Sequence, residues 1–346
     1  ITEMTILNKV ISGEKITPPP IWLMRQAGRY LPEYRKIRSE SGSFLNLCYS
    51  PKLASEVTLQ PIDRFDFDAA IIFADILLIV ENLGFNLHFH EKKGPVIENC
   101  LINKKQVIKY QKIKNSPLIN IGETVSLTRK KLEKNKSLIG FCGAPWTVAT
   151  YIINGGTTAS YEKCIQWAHD NYEYFMEMIN LLVEISSEYL IMQIEAGADI
   201  IKIFDTWSGV LNENDFNDWV IIPTHKIVQN IKTKYPHIKI IGFPKNCGYF
   251  YEDYIKKTSV DAVAVDPDLD MLYCKNTLQK LTVIQGNISP EVLRIGGDTM
   301  KKDIIKTLDT FGDYSFIMGL GHGVLKDTPV NNVLEFVDIV RKYKRI

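Results

Sequence analysis

Thr282-Val283-Ile284-Gln285-Gly286-Asn287-Ile288-Ser289-Pro290-Glu291 holds a β-branched run, a polar turn and a helix start in quick succession. The run 282–285 predicts a strand. Ser289 then offers a capping hydroxyl, and Pro290 suits the first helical position, where its missing N–H would have had no partner. A strand passing so directly into a helix is the unit from which parallel sheets are built.

The unit recurs along the chain. Runs rich in β-branched or aromatic residues stand at 20–24, 69–74, 137–143, 198–204, 239–243, 261–265, 282–285 and 314–318, separated by longer segments of helical period. Their near-continuous apolar character is that of strands covered on both faces. Eight such strands predict an α/β fold with one domain spanning 1–346: a closed (β/α)8 TIM barrel with its active site at the C-terminal ends of the strands. Ser50-Pro51 and Thr328-Pro329 repeat the capping pattern. Segment 161–196 carries one long helical pattern, interrupted or followed by Gly197, and 86–136, rich in Lys and Asn, predicts a surface excursion with a helix.

Composition narrows the function classes. Lys and Arg number 41 against 40 Asp and Glu, so no global field draws nucleic acid or a membrane, and any anionic ligand must meet locally concentrated charge. The six cysteines, at 48, 100, 142, 164, 247 and 274, form no close pair and no His-x-Cys spacing, which argues against a disulfide framework or a zinc site. The apolar run 69–80 contains Asp75 and is too short to span a bilayer. A soluble protein of the cytoplasm or plastid stroma is expected. The first residue is Ile1 and not Met, which suggests a trimmed leader or a truncated chain.

In a barrel of this kind the residues just past each strand face the site. Here they are Arg25 and Arg29, Asp75, Gly143-Ala144-Pro145-Trp146 with Tyr151, Asp205-Thr206-Trp207, Lys245, Asp266, Asn287, and Gly321-His322-Gly323. Arg25 and Arg29 are four apart, yet Gly28 and Pro32 disfavour a helix, so a loop is expected. Their planar forks suit carboxylate or phosphate. Plainer roles stand beside these: a solvated turn for the arginines, a helix cap for Asp75, packing for Tyr151, Trp146 and Trp207.

The chain resembles the uroporphyrinogen decarboxylase family over essentially its full length. The resemblance rests on Trp22-Leu23-Met24-Arg25-Gln26-Ala27-Gly28-Arg29-Tyr30-Leu31-Pro32-Glu33-Tyr34-Arg35, Leu59-Gln60-Pro61, Phe73-Ala74-Asp75-Ile76-Leu77, Gly94-Pro95, Gly143-Ala144-Pro145-Trp146-Thr147, Phe204-Asp205-Thr206-Trp207, Gln285-Gly286-Asn287 and Gly321-His322-Gly323, in the family's order. It implies a cofactor-free, metal-free (β/α)8 enzyme, usually a homodimer. Such an enzyme removes carbon dioxide from four acetate side chains of uroporphyrinogen III, leaving the methyl groups of coproporphyrinogen III. It also implies substrate contacts by Arg25, Arg29, Asp75, Tyr151, Thr206 and His322, with Asp75, Arg25, Arg29 and Tyr151 carrying the catalysis. Tyr49, Ser289 and Gly319 depart from the family's usual residues. Corrinoid-dependent methyltransferases are similar to the same barrel, but they would be expected to hold zinc through His and Cys.

Overall fold

A computed structural model describes residues 4–346 of the chain. Ile1, on which the expectation of a leader rests, lies outside them. The strands are β1 (Ala69–Ile71), β2 (Leu87–His90), β3 (Gly94–Ile97), β4 (Ser137–Gly143), β5 (Ile200–Asp205), β6 (Lys239–Pro244), β7 (Ala262–Ala264), β8 (Val283–Ile288) and β9 (Phe316–Leu320). Seven form one parallel sheet in the order β1-β4-β5-β6-β7-β8-β9, while β2 and β3 make a separate antiparallel hairpin. Every residue of β4, β5, β8 and β9 is buried, as strands covered on both faces require. Helices Pro145–Asn154 and Tyr172–Ala196 join β4 to β5, Ile222–Lys234 joins β5 to β6, and Gly297–Phe311 leads into β9.

The expected ring of eight strands is corrected to seven. Segment 20–24 forms a single bridge, Ile21 to Met318 of β9. On that side Met318 N donates to Pro20 O at 2.9 Å and Trp22 N to Met318 O at 3.4 Å. Toward β1, Asp68 N donates to Ile21 O at 3.0 Å, but Ile21 N turns to the Asp68 carboxylate at 2.7 Å. Prolines 18 to 20 bring no N–H of their own to a ladder. Past Trp22, a side chain replaces the missing strand. The buried Gln26 amide accepts Leu23 N–H at 3.0 Å and donates to Ala69 O of β1 at 2.9 Å. Arg341, in the last helix Val330–Lys342, donates to the same Asp68 carboxylate at 2.7 Å.

Other boundaries shift for local reasons. Strand β1 stops early because Phe73 N–H is taken by Thr58 Oγ1. β5 starts late because the N–H groups of Gly197 and Ala198 bond back into the preceding helix. The pattern 161–196 divides into helices Glu162–Asp170 and Tyr172–Ala196, broken at Asn171, with Gly197 ending the second. Ser50 and Ser289 cap their helices as expected, accepting from Leu53 N and Glu291 N. Thr328 does not cap: Pro329 is the cap residue, and the Thr328 hydroxyl is buried without a partner. The excursion 86–136 contains the β2–β3 hairpin, which sequence periodicity missed, and the helix Ile119–Lys131.

Candidate active site

The loop after Ile21 holds Arg25 in a left-handed conformation, φ 59°. For a residue with a Cβ this costs roughly 1–2 kcal/mol, and such strain gathers where geometry serves function. Downstream, Leu31 N bonds to Gly28 O, the Tyr30 hydroxyl donates to Gln26 O, and Pro32 opens the helix Pro32–Glu40. The loop expected for the arginines is therefore present, and it is braced. Among the described residues neither guanidinium forms an ion pair or a hydrogen bond. Burial lowers the Arg25 pKa and the like charge of Arg29 adds to this, against the opposing pull of Asp75 and Tyr151.

Asp75 follows β1. Its Oδ1 accepts Leu77 N–H at 2.8 Å, which fixes the carboxylate's direction. Burial raises its pKa, while that hydrogen bond and the charge of Arg25 oppose the shift. Tyr151 lies on the helix Pro145–Asn154, which begins right after β4 and ends at Gly155, where φ is 82°. That helix is held from behind by aromatic packing, with Trp146 5.3 Å from Trp219 and Phe175 4.8 Å from Trp219, ring centre to ring centre. The Tyr151 hydroxyl accepts from Trp207 Nε1 at 3.2 Å. Burial raises its pKa, so the phenol keeps its proton and can donate it in a hydrogen bond.

His322 completes the group from the loop after β9. Its Nδ1 accepts Gly323 N–H at 2.7 Å, which places the ring proton on Nε2. Burial, with the charges of Lys245, Arg25 and Lys202, pushes its pKa down to about 3, so the ring is neutral. Val324 N bonds to Met24 O, and a Cβ on Gly323 would overlap Arg25 Cδ. The His322 loop and the Arg25 loop thus pack as one unit.

Thr206 stands one residue past β5, half-buried, and its hydroxyl hydrogen-bonds to no described residue. Its neighbours carry a network that sequence reading missed. Thr147 donates to Asp205 Oδ1 at 2.5 Å and accepts Trp207 N–H at 3.1 Å, while Trp146 Nε1 donates to Trp207 O at 3.0 Å. Asp266 proves to be an anchor: its Oδ2 accepts from Asn246 N and the Tyr251 hydroxyl, and its main-chain oxygen from Asn287 Nδ2. Lys202 was also missed. It interrupts the run Ile200-Ile201-Lys202-Ile203-Phe204 as Asp75 interrupts its own, so the same signal was present.

A cavity of about 890 Å³ lies at the opposite, N-terminal end of the strands and includes none of the six residues. Among the described residues no group of three or more His, Cys, Asp or Glu side chains could hold a metal ion, and no helix is long and apolar enough to cross a membrane.

The family model for uroporphyrinogen decarboxylase matches residues 2–343. A uroporphyrinogen decarboxylase of Rhodospirillum rubrum is 43% identical over 334 residues, covering 96% of each chain. One from Orientia tsutsugamushi is 45% identical over 329 residues, covering 94% of each. Among solved structures, a methyltransferase from Methanosarcina mazei superposes with a TM-score of 0.75 over 98% of this chain and 99% of its own, at 16% identity. A B12-independent methionine synthase from Shewanella reaches 0.56 over 94% and 97%, at 11% identity. At such identities the structural likeness speaks for the fold alone.

Proposed function

This chain belongs to the uroporphyrinogen decarboxylase family, and we propose that Arg25, Arg29, Asp75, Tyr151, Thr206 and His322 carry the family's reaction in it. It is a carboxy-lyase of tetrapyrrole biosynthesis that decarboxylates uroporphyrinogen. In the finer reading it converts the four acetates of uroporphyrinogen III to methyls without a cofactor. The observation that carries this reading is the place of Arg25: unpaired, held at φ 59° and packed against the His322 loop through Gly323, it feels the charges of Asp75, Tyr151 and Arg29.

Each turnover adds a proton and releases carbon dioxide, turning an acetate into a methyl group. Protonation of a pyrrole carbon makes the ring cationic, and the ring takes up the electron pair of the breaking carbon–carboxylate bond. A second proton completes the methyl, and the ring gives up the first. Asp75 collects the pyrrole N–H groups; they favour its ionised form, and its charge stabilises the ring cation. Arg25 and Arg29 pair with substrate carboxylates and orient the reacting ring, while Tyr151, Thr206 and His322 hydrogen-bond to others.

The seven-stranded parallel sheet, with the Ile21 segment bridged to β9, supports a barrel-like fold built as one domain. A homodimer fits exposed apolar side chains near the C-terminal strand ends, Tyr249 and Leu272, and sedimentation will measure it. Bacterial relatives support a cytoplasmic setting over a plastid one.

The deciding experiment is an anaerobic incubation with reduced uroporphyrinogen III and no added cofactor, followed by oxidation and separation of porphyrins by carboxylate count. Passage from eight carboxylates to four is expected. Recovery of the eight-carboxylate species alone, from folded protein, would overturn the assignment.

A further inference from the structure

Lys202 lies inside the large sheet, on β5, 1% exposed. Its ammonium is ringed by aromatic faces: Nζ sits 4.8 Å from the Trp22 ring centre, 4.8 Å from Phe204 and 5.2 Å from Phe243. Among the described residues it forms no ion pair and no hydrogen bond. The Trp22 indole N–H, on one of the three rings, is likewise buried without a partner. Two buried donors at one place therefore lack an acceptor. Aromatic faces compensate a cation only in part, and an unpaired buried charge is costly to a fold.

The position of this charge says what it is for. Trp22 opens the loop that carries Arg25, Phe204 precedes Asp205 and Thr206, and the field of Lys202 reaches His322. Residues 202 and 204 share a face of β5, so the Lys202 amine lies below Phe204 and the strand end; burial lowers its pKa to about 7, and it takes its full charge when an anion pairs with it. Resting on the reading of the site as a uroporphyrinogen decarboxylase, we propose that Lys202 is a further substrate-binding residue, the floor of a subsite that pairs with a propionate carboxylate of the macrocycle.

Chemistry selects a propionate over the reacting acetate. The departing carboxylate loses its charge on the way to carbon dioxide, so a cation paired with it would stabilise the ground state more than the transition state and slow the reaction. A propionate keeps its charge throughout. Pairing with it binds substrate and transition state alike, an effect that shows in KM and leaves kcat nearly unchanged.

Lys202→Met tests this, because methionine fills the aromatic cage with similar volume and no charge. The variant should melt at a temperature equal to or above that of the unchanged protein, since a buried unpaired cation has been removed. Its KM for uroporphyrinogen III should rise by ~10- to 100-fold, as loss of a charged hydrogen bond does, with kcat within about threefold. Lys202→Arg, which keeps the charge, should recover part of the lost affinity, and serves as the test if the methionine variant fails to fold. An unchanged KM in folded Lys202→Met, or a fall in kcat at constant KM, would overturn the proposal. An unsubstituted protein that releases no carbon dioxide would instead overturn the reading on which it rests, and the two failures are distinct.

Discussion

Trp207 Nε1 donates to the Tyr151 hydroxyl over 3.2 Å, joining the loop after β5 to the helix after β4. Tyr161 packs on the far partner of this bond, its ring 4.8 Å from that of Trp207 and tilted by 31°. The phenol is thereby aimed before any substrate arrives. Trp207→Phe keeps the packing and removes the donor. We predict that kcat/KM falls by ~3- to 10-fold, the worth of one neutral hydrogen bond. Steady-state kinetics decide it, and an unchanged value would mean that Tyr151 is not oriented through Trp207.

Asp75→Asn preserves shape, and its side-chain oxygen can still accept Leu77 N–H. Only the charge goes. If that charge stabilises a cationic ring, kcat should drop by ~100-fold or more, the effect of one preorganised electrostatic group. The carboxylate-count assay reads this directly; near-normal turnover would remove Asp75 from the mechanism.

Gly323 permits the closest approach between the two loops. A methyl there would overlap Arg25 Cδ and push the guanidinium aside. Since a displacement of about 1 Å can cost ~100-fold in rate, Gly323→Ala should lose activity on that scale while its circular dichroism melt stays near that of the unchanged protein. Loss of activity and melting temperature together would show that the contact serves folding instead.

Asp205 gives a pH test. It is buried, one oxygen accepts from Thr147, and the other has no partner. Burial pushes its pKa up from 3.8 to about 7. Between these values the folded protein holds a proton that the unfolded chain has released, so this group's contribution to stability is full below about 3.8 and is lost as pH rises through 7. Asp205→Asn should remove that slope. Melting temperatures of both proteins from pH 4 to 8 check it, and parallel curves would count against the shift.

The strand-helix alternation was legible because buried parallel strands leave long apolar runs, and a polar residue inside such a run stands out, as Asp75 did. Lys202 gave the same signal, but a search confined to strand ends passes over a residue in mid-strand. The first strand was misjudged for a different reason. Apolar content at 20–24 reports burial, whereas pairing depends on where each N–H goes, and Asp68 and Gln26 take two of them with side chains. Thr147 and Gln26 both lay inside recognisable blocks. Their roles depend on partners 58 and 43 residues away in sequence, a separation at which local pattern says nothing.

Between neighbouring strands elsewhere in the sheet, the main chain supplies the ladder whatever side chains it bears. Beyond the two bonds between Ile21 and Asp68, the contact between the first segment and β1 is made by the side-chain amide of Gln26, acceptor on one end and donor on the other. Past Trp22, closure is encoded in the identity of a single amino acid. Glutamate would keep the acceptor and lose the donor, leucine would lose both, and only a residue with the reach and polarity of glutamine spans the gap. The join that sets the arginine loop in place is thus open to point mutation in a way that the rest of the sheet is not.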